Sequence, residues 1–453
     1  MFSVKSADRS SSTAASIDFG QLIDERPISL FQYRLFAFCI AVGVLDGMDT
    51  QSIGVAAGPM ASELSFPLSD LGTVFSSALL GATIGAITFG ALADRFGRKR
   101  MMIAAVTVFG IFTLATAMVP SFGNLIAVRF LAGLGLGGAT PCFLALGAEY
   151  APRRRRPSIT SLLWAGFPLG ATLGGFLNSF ILKHFDWHAL FYVGGALPLA
   201  LAALLLLYVP ESVRFLLSRK PNSPEIAAIA RQLDPRLVLT DSTRFFLQDE
   251  PRSKNASRQI LVVGRVGATL MLWSVFFMAF GTLTIVALWT PALLHQGGMS
   301  ASNTALAVGC NGLGGLIGVA LAGRLIERFG IVAALCPSLL IGAMSIGMLG
   351  KIGVGLLEVC SAMAMAGFWV SVGGAGVVAV ASSIYPTTVR STGVGRAMGA
   401  GRLGQFIGPL FITLLLHAHW TIASMFAVVA LAPAAAAMLV FLLDRPSRTA
   451  SSG

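Results

Sequence analysis

Four charged residues stand inside apolar runs of this 453-residue chain: Asp46, Asp49, Arg129 and Arg402. At the centre of a bilayer a charge costs at least about 2.5–3.5 kcal/mol, so each needs a partner or a task. Asp46 and Asp49, three residues apart, share one helix face, and an arginine can grip a carboxylate through paired hydrogen bonds. Fully ionised, the quartet is neutral. If one Asp binds a proton the set becomes singly positive, and a monovalent carboxylate restores neutrality. Leaving either partner out strands a charge in low dielectric, which is costly. The chemistry open to this set is therefore the coupling of a proton to an anion. Asp46 or Asp49 would carry the proton, and Arg402 or Arg129 would hold the carboxylate. The bland alternatives are a static Asp49–Arg129 salt bridge between two helices, and an Arg402 that snorkels to the surface.

The elements that must position these residues are membrane helices. Apolar residues make up 55% of the chain and charged residues only 11%, against roughly 25% charged in a soluble domain. A water-facing surface cannot be built from so little charge, which excludes a soluble multidomain enzyme. Apolar runs of about 20 residues, enough to cross a bilayer, lie near 35–56, 71–93, 101–120, 124–148, 158–182, 188–209, 262–290, 303–323, 331–350, 356–381, 394–416 and 421–443. The expected fold is an all-α membrane protein with twelve transmembrane helices in two pseudo-symmetric six-helix bundles. Its parts are an N-terminal tail (1–33), a first bundle (34–209), a linker (210–260), a second bundle (261–443) and a C-terminal tail (444–453). Pro221, Pro224, Pro235 and Pro251 with mixed charges suggest short amphipathic helices in the linker. The first thirty residues hold no apolar stretch with a cleavage site, so no removable signal peptide is expected. At about 1.5 Å per residue, Asp46 lies about 17 Å and Asp49 about 21 Å from the inner end of span one. Arg129 comes out near the depth of Asp49, and Arg402 nearer Asp46.

Lysines and arginines fix the topology. With the N-terminus inside, the inner segments hold clusters such as Arg95, Arg98, Lys99 and Arg100, and Arg153 to Arg156, whereas the outer loops hold only Lys183 and Lys351. That asymmetry predicts both termini on the cytoplasmic side of the inner membrane. It also accounts for the net charge of +12 without nucleic acid, because no single basic face is assembled. Trp187, Trp289 and Trp420 fall at expected outer boundaries, as an aromatic belt would. The five cysteines sit in apolar runs without paired spacing, and read as small core residues. The histidines lack metal spacing, and there is no phosphate-cradling Walker sequence. Gly133 to Gly138 match GxGxxG, but inside an apolar run with no preceding strand, so helix packing is the better reading. No cofactor, metal, catalytic group or obligate protein partner is expected; lipid surrounds the chain.

The halves repeat. Gly90-Ala-Leu-Ala-Asp-Arg-Phe-Gly97 aligns with Gly323-Arg-Leu-Ile-Glu-Arg-Phe-Gly330 at an offset of 233 (323 − 90). Tyr150, Pro152 and Arg156 align loosely with Tyr385, Pro386 and Arg390. A repeat on the same membrane side after six spans is a parallel duplication, which puts a ligand site at the interface of the halves.

Residues Gly90 to Arg100 resemble the signature loop of the major facilitator superfamily, a resemblance that covers about 30–443. Within it the chain looks like the aromatic acid:proton symporters. Leu45-Asp-Gly-Met-Asp-Thr-Gln51, Pro210-Glu-Ser-Val-Arg-Phe-Leu216, Arg390-Ser-Thr-Gly-Val-Gly395 and Gly401-Arg-Leu-Gly404 carry that likeness. The Pro-Glu-Ser segment is also similar to sugar porters and carriers of other organic ions. The resemblance implies that Asp46, Asp49, Arg129 and Arg402 are functional positions. It implies an inner latch as well, with Asp94 facing the N-terminal end of span eleven and the nearby bases Arg95 and Arg98 pairing with Glu149; Arg390 is a further member. The second copy lacks the following bases, so its latch should be weaker. Asn311 is a candidate polar cavity residue. Trp164, Phe277, Phe280, Phe368 and Trp369 are candidate aromatic walls, with lipid-facing positions the alternative for each. Pro168 can bend span five, either as a hinge or as a static kink. The expected function is import of a benzoate or hydroxybenzoate with protons. A carrier of another organic acid, sugar or drug, an exporter included, and a transporter-like receptor are the competing expectations.

Overall fold

The computed structural model describes residues 16–219, 223–237, 243–247, 266–351, 355–384 and 390–449. Twelve helices in it are long and apolar enough to span a membrane. The first six are Leu30–Glu63, Leu68–Phe96, Arg98–Thr116, Phe122–Glu149, Arg156–His184 and Trp187–Tyr208. The second six are Val266–Gln296, Ala301–Phe329, Ile331–Leu349, Leu356–Ala381, Gly393–His417 and Ile422–Leu443. Span one extends well beyond the expected 35–56 at both ends. At its start Ser29 and Gln32 exchange hydrogen bonds as a capping box, the Ser29 N–H donating to Gln32 Oε1 at 2.8 Å. This satisfies backbone donors that the first turn of a helix leaves open.

Small residues let the helices of each bundle approach until backbones touch. Gly81 and Gly133 each leave no room for a Cβ against the other's helix, which joins spans two and four. Gly314 and Gly367 do the same for spans eight and ten. The GxGxxG stretch belongs to this packing, since Gly137 lies against Ala82 of span two and Gly135 against Ala105 of span three. Both bundles also turn from their second to third span at a glycine with positive φ, Gly97 at 102° and Gly330 at 83°. The sequence repeat is thus a repeat of backbone geometry. Span five is two helices broken at Ala165. Pro168, which has no N–H to give the carbonyl of Trp164, explains the break.

The end that carries Arg98, Arg153 and the linker is called here the basic end. At the opposite end one buried cluster draws on both bundles, with Phe75 edge-on to Trp289 at 5.5 Å between ring centres. Hydrogen bonds cross there, among them Ser76 Oγ to the Phe406 carbonyl (2.8 Å), Thr413 Oγ1 to the Ser69 carbonyl (2.8 Å) and Ser302 Oγ to the Ser179 carbonyl (2.9 Å). At the basic end the buried clusters are separate, one in each bundle. Among the described residues, the buried packing that the two bundles share lies far from the basic end.

The linker docks on the first bundle. Its helices Val213–Arg219 and Pro224–Leu233 bury Ile226, Ile229 and Leu233 against Phe19, Leu22 and Ile23 of the N-terminal segment. Ser16–Asp18 pairs in parallel with Arg244–Phe246, a small β element beside the helices. Arg26 adds an ion pair to Asp234 at 2.9 Å.

Candidate functional site

Asp49 and Arg129 form a closed, two-pronged pair. Arg129 Nη1 donates to Asp49 Oδ1 at 3.2 Å and Nη2 to Oδ2 at 2.6 Å. Thr113 of span three donates to Oδ1 at 3.3 Å, and the guanidinium lies 5.8 Å from the ring centre of Phe191 on span six. Asp49 is 4% and Arg129 2% exposed. Four spans of the first bundle therefore meet at one ion pair. Removing one member of such a pair strands the other, typically at a cost of about 3–5 kcal/mol.

Asp46, one turn nearer the basic end, has a different environment. It is half-buried and lines a narrow cleft with Val42, Val106, Phe109, Leu136 and Thr140, which has room for about one water molecule. Arg402, also half-buried, comes from the second bundle, and its charge and that of Asp46 act on each other. Arg402 Nη1 donates to Gln405 Oε1 at 3.3 Å. Among the described residues, neither Asp46 nor Arg402 is closed into an ion pair. The quartet thus divides into a doubly hydrogen-bonded pair within one bundle, in which only Arg129 Nε is left without a partner among the described residues, and an unclosed pair of opposite charges between bundles.

The other candidates are spread over both bundles. Phe277 and Phe280 lie on span seven where it meets span eleven: the Phe280 ring faces Gly401, and the Phe277 backbone touches Gly404. Those glycines flank Arg402, so Phe280 is an aromatic wall beside its helix. Phe280 also stacks on Phe276, with centres 5.8 Å apart. Asn311 donates to the Met363 carbonyl at 3.0 Å, tying span eight to span ten. Phe368 and Trp369 meet edge to face at 4.8 Å, and the Cβ of Trp369 lies beside Gly342 of span nine. Trp164, at the break in span five, is 40% exposed.

At the basic end, Arg98 pairs with Glu149, and Ser212 Oγ donates to the other oxygen of Glu149 at 2.6 Å. Glu211 Oε1 accepts from the N–H groups of Lys99 (2.9 Å) and Ser212 (2.8 Å). Asp94 reaches none of this. Its side chain is 80% exposed, with Arg98 at 4.0 Å, and among the described residues it makes no contact with span eleven. Arg95 lies over the Phe96 ring at 5.4 Å, and Arg328 over Phe329 at 5.5 Å. In the second copy Glu327, Arg328 and Phe329 are all exposed. Tyr385 and Pro386 lie outside the described residues, as does the Arg390 side chain.

Thr113, Phe191, Gln405 and Phe276 escaped the sequence reading because nothing in their local pattern separates them from ordinary lining residues. Glu211 and Ser212 did carry a signal, since they belong to the Pro210–Leu216 stretch, but that stretch discloses no partner.

Comparison with known proteins agrees with this architecture. The family described as Major Facilitator Superfamily matches residues 39–363 and 271–453. A gallate transporter of Pseudomonas putida is 33% identical over 96% of this chain and 96% of its own. The 4-hydroxybenzoate transporter PcaK of Acinetobacter baylyi is 31% identical over 96% of each. The 3-(3-hydroxy-phenyl)propionate transporter of Escherichia coli is 33% identical over 82% of this chain and 84% of its own. Among solved structures, a partially occluded inward-open form of the xylose transporter XylE from E. coli superposes with a TM-score of 0.70 at 21% identity. It covers 91% of this chain and 98% of XylE, a likeness of fold.

Proposed function

The chain belongs to the Major Facilitator Superfamily, a multi-pass membrane transporter related to carriers of aromatic acids, and from that premise we propose that it imports a benzoate- or hydroxybenzoate-class carboxylate with protons by alternating access. The observation that carries this reading is the unclosed Asp46–Arg402 pair between the bundles. Arg402 is the carboxylate clamp, because its guanidinium offers paired donors and is not already tied to an acid among the described residues. Asp46 is the proton carrier. With Asp46 ionised the two charges balance; with Asp46 protonated, Arg402 needs an anion. Cargo and proton therefore enter together and leave together, since the loss of either leaves an unbalanced charge in low dielectric. Phe280 and Phe277, beside the glycines that flank Arg402, are the flat walls suited to an aromatic ring.

In this reading Asp49 and Arg129 fix spans one, three, four and six, and hold Asp46 at its depth. Asn311, Phe368, Trp369 and Trp164 line or brace the path. The basic end is assigned to the cytoplasm of a bacterial-type inner membrane, with both termini there, by its excess of lysine and arginine. The arrangement is then inward-open, with the latch of Asp94, Arg95, Arg98, Glu149 and Arg390 only partly engaged. Closing it would bring Asp94 toward span eleven while the Phe75–Trp289 seal parts.

The test is uptake into sealed vesicles under an imposed pH gradient, with a panel of benzoate, 4-hydroxybenzoate, gallate and aliphatic acids. An inward proton gradient should drive accumulation of the aromatic acids. Flux indifferent to the gradient would refute symport, and equal uptake of the aliphatic acids would refute the aromatic site.

A further inference from the structure

The five cysteines take no part in the proposed transport cycle, yet two of them meet. Spans eight and ten pack in a fixed register. A Cβ on Gly314 would collide with the Ala364 carbonyl, and one on Gly318 with the Phe368 carbonyl. Both contacts join residues fifty positions apart (364 − 314 and 368 − 318). Residues four apart lie one above the other on a helix, so the next step along this seam sets Cys310 against Cys360. The side chains agree with that register, since the two thiols are close enough to hydrogen-bond. Asn311, beside Cys310, ties the same helices through the Met363 carbonyl at 3.0 Å. Both thiols are half-buried, and Cys360 packs against the buried cluster that the bundles share. The other cysteines differ. Cys39 and Cys142 are buried in the first bundle, and Cys336 of span nine donates to the Ala437 carbonyl at 3.4 Å. What a free thiol does is decided by its reactivity more than by its packing.

We propose that Cys310 and Cys360 form a dithiol site for trivalent arsenic, taken as arsenous acid or a monoorgano derivative of it. Thiol sulfur is a soft donor and selects soft partners. Two thiols held side by side bind one such atom far more tightly than either alone, because the second bond forms at high effective concentration. With an arsine oxide, R–As=O, each S–H bond is replaced by an S–As bond. The oxygen leaves as water with both thiol protons, and no electrons are transferred, so no oxidant is needed. A disulfide requires the sulfurs about 2 Å apart, closer than hydrogen-bonded thiols stand, whereas a bridging arsenic atom spans them with the helices where they are. The ligand is uncharged, which suits a thiol pair inside membrane spans, where charge is costly. The site is independent of the roles given to Asp46 and Arg402.

Binding of phenylarsine oxide to the purified, reduced full-length protein tests this, with wild type, Cys310→Ser, Cys360→Ser and Cys336→Ser compared by mass spectrometry. Wild type and Cys336→Ser should each keep one arsenical per chain through a wash with excess monothiol, and lose it to a dithiol. Cys310→Ser and Cys360→Ser should each bind it about 100-fold or more less tightly. In the wild type the bound arsenical should shield Cys310 and Cys360 from a maleimide, as peptide mapping reads, and leave Cys336 as reactive as before. That arm needs no variant to fold. Retention unchanged in both Cys310→Ser and Cys360→Ser would overturn the proposal. So would a wild type that keeps no arsenical through the monothiol wash, or one in which a different pair of thiols is shielded.

Discussion

Asp49–Arg129 and Asp46–Arg402 use the same two side-chain types and sit one helical turn apart on span one, yet the structure treats them differently. The first is nearly inaccessible, doubly hydrogen-bonded and confined to one bundle. The second is half-buried, shared between bundles and unclosed. A buried ion pair whose two charges already answer each other through paired hydrogen bonds gains little from admitting a proton or an anion. A pair that must be completed from outside gains much. We infer that the difference separates a fastener from a working site, a separation that substitutions can break or sharpen.

The largest effect should come from the working pair. Arg402→Gln should lower gradient-driven accumulation of 4-hydroxybenzoate by about 100-fold or more, since loss of a guanidinium that holds the cargo carboxylate costs roughly 2–5 kcal/mol, and Asp46→Asn, which can neither take up nor release the proton, should lower it as far. Neither should much change the melting temperature of the purified protein. The fastener should behave the opposite way. Asp49→Asn or Arg129→Met alone should destabilise the protein by about 3–5 kcal/mol, whereas the Asp49→Leu/Arg129→Met double variant should recover much of that loss. Thermal unfolding of the four proteins reads this directly. A double variant as stable as wild type but wholly inactive would move Asp49 and Arg129 into the working site.

A smaller effect is expected at the seal. Ser76→Ala with Thr413→Val removes two hydrogen bonds between the bundles, each worth about 1 kcal/mol. The balance should shift toward the arrangement open at the far end by roughly 10- to 30-fold. Labelling of a cysteine introduced at Phe75 by a membrane-impermeant thiol reagent should rise accordingly. The smallest effects separate the two copies of the latch. Asp94→Asn should slow uptake several-fold, by about 1 kcal/mol, because closure needs its contact with span eleven. Glu327→Gln, in the copy without the following bases, should stay within about twofold of wild type.

Much of the fold was legible in the sequence because its signals are local. Twenty-residue apolar runs mark spans, and a repeated Gly-x-x-x-Asp/Glu-Arg-Phe-Gly marks the turns that Gly97 and Gly330 make with positive φ. Helix ends were less legible, since span one continues into both water layers on sequence that is only moderately apolar. The pairing of Ser16–Asp18 with Arg244–Phe246 could not be read at all. Strands of three residues have no period to detect, and their partners lie more than two hundred positions apart.

The charged quartet was legible as a set but not in its division of labour. Depth placed Asp49 level with Arg129, and helical spacing put Asp46 on the same face. What decides their roles is the rotation of span one against its neighbours, which aims Asp49 at Thr113 and Arg129 and leaves Asp46 beside a cleft. That rotation is set by glycine contacts with span five, such as Gly47 against Phe167 and Gly170 against Val44. Contacts of this kind belong to tertiary packing, and no single helix encodes them.

In the proposed mechanism Asp46 is the residue that ties proton movement to cargo. In proteoliposomes loaded with unlabelled 4-hydroxybenzoate, Asp46→Asn should still exchange internal for external labelled cargo, yet fail to accumulate it when an inward proton gradient is imposed. Accumulation by Asp46→Asn at the wild-type level would contradict that claim.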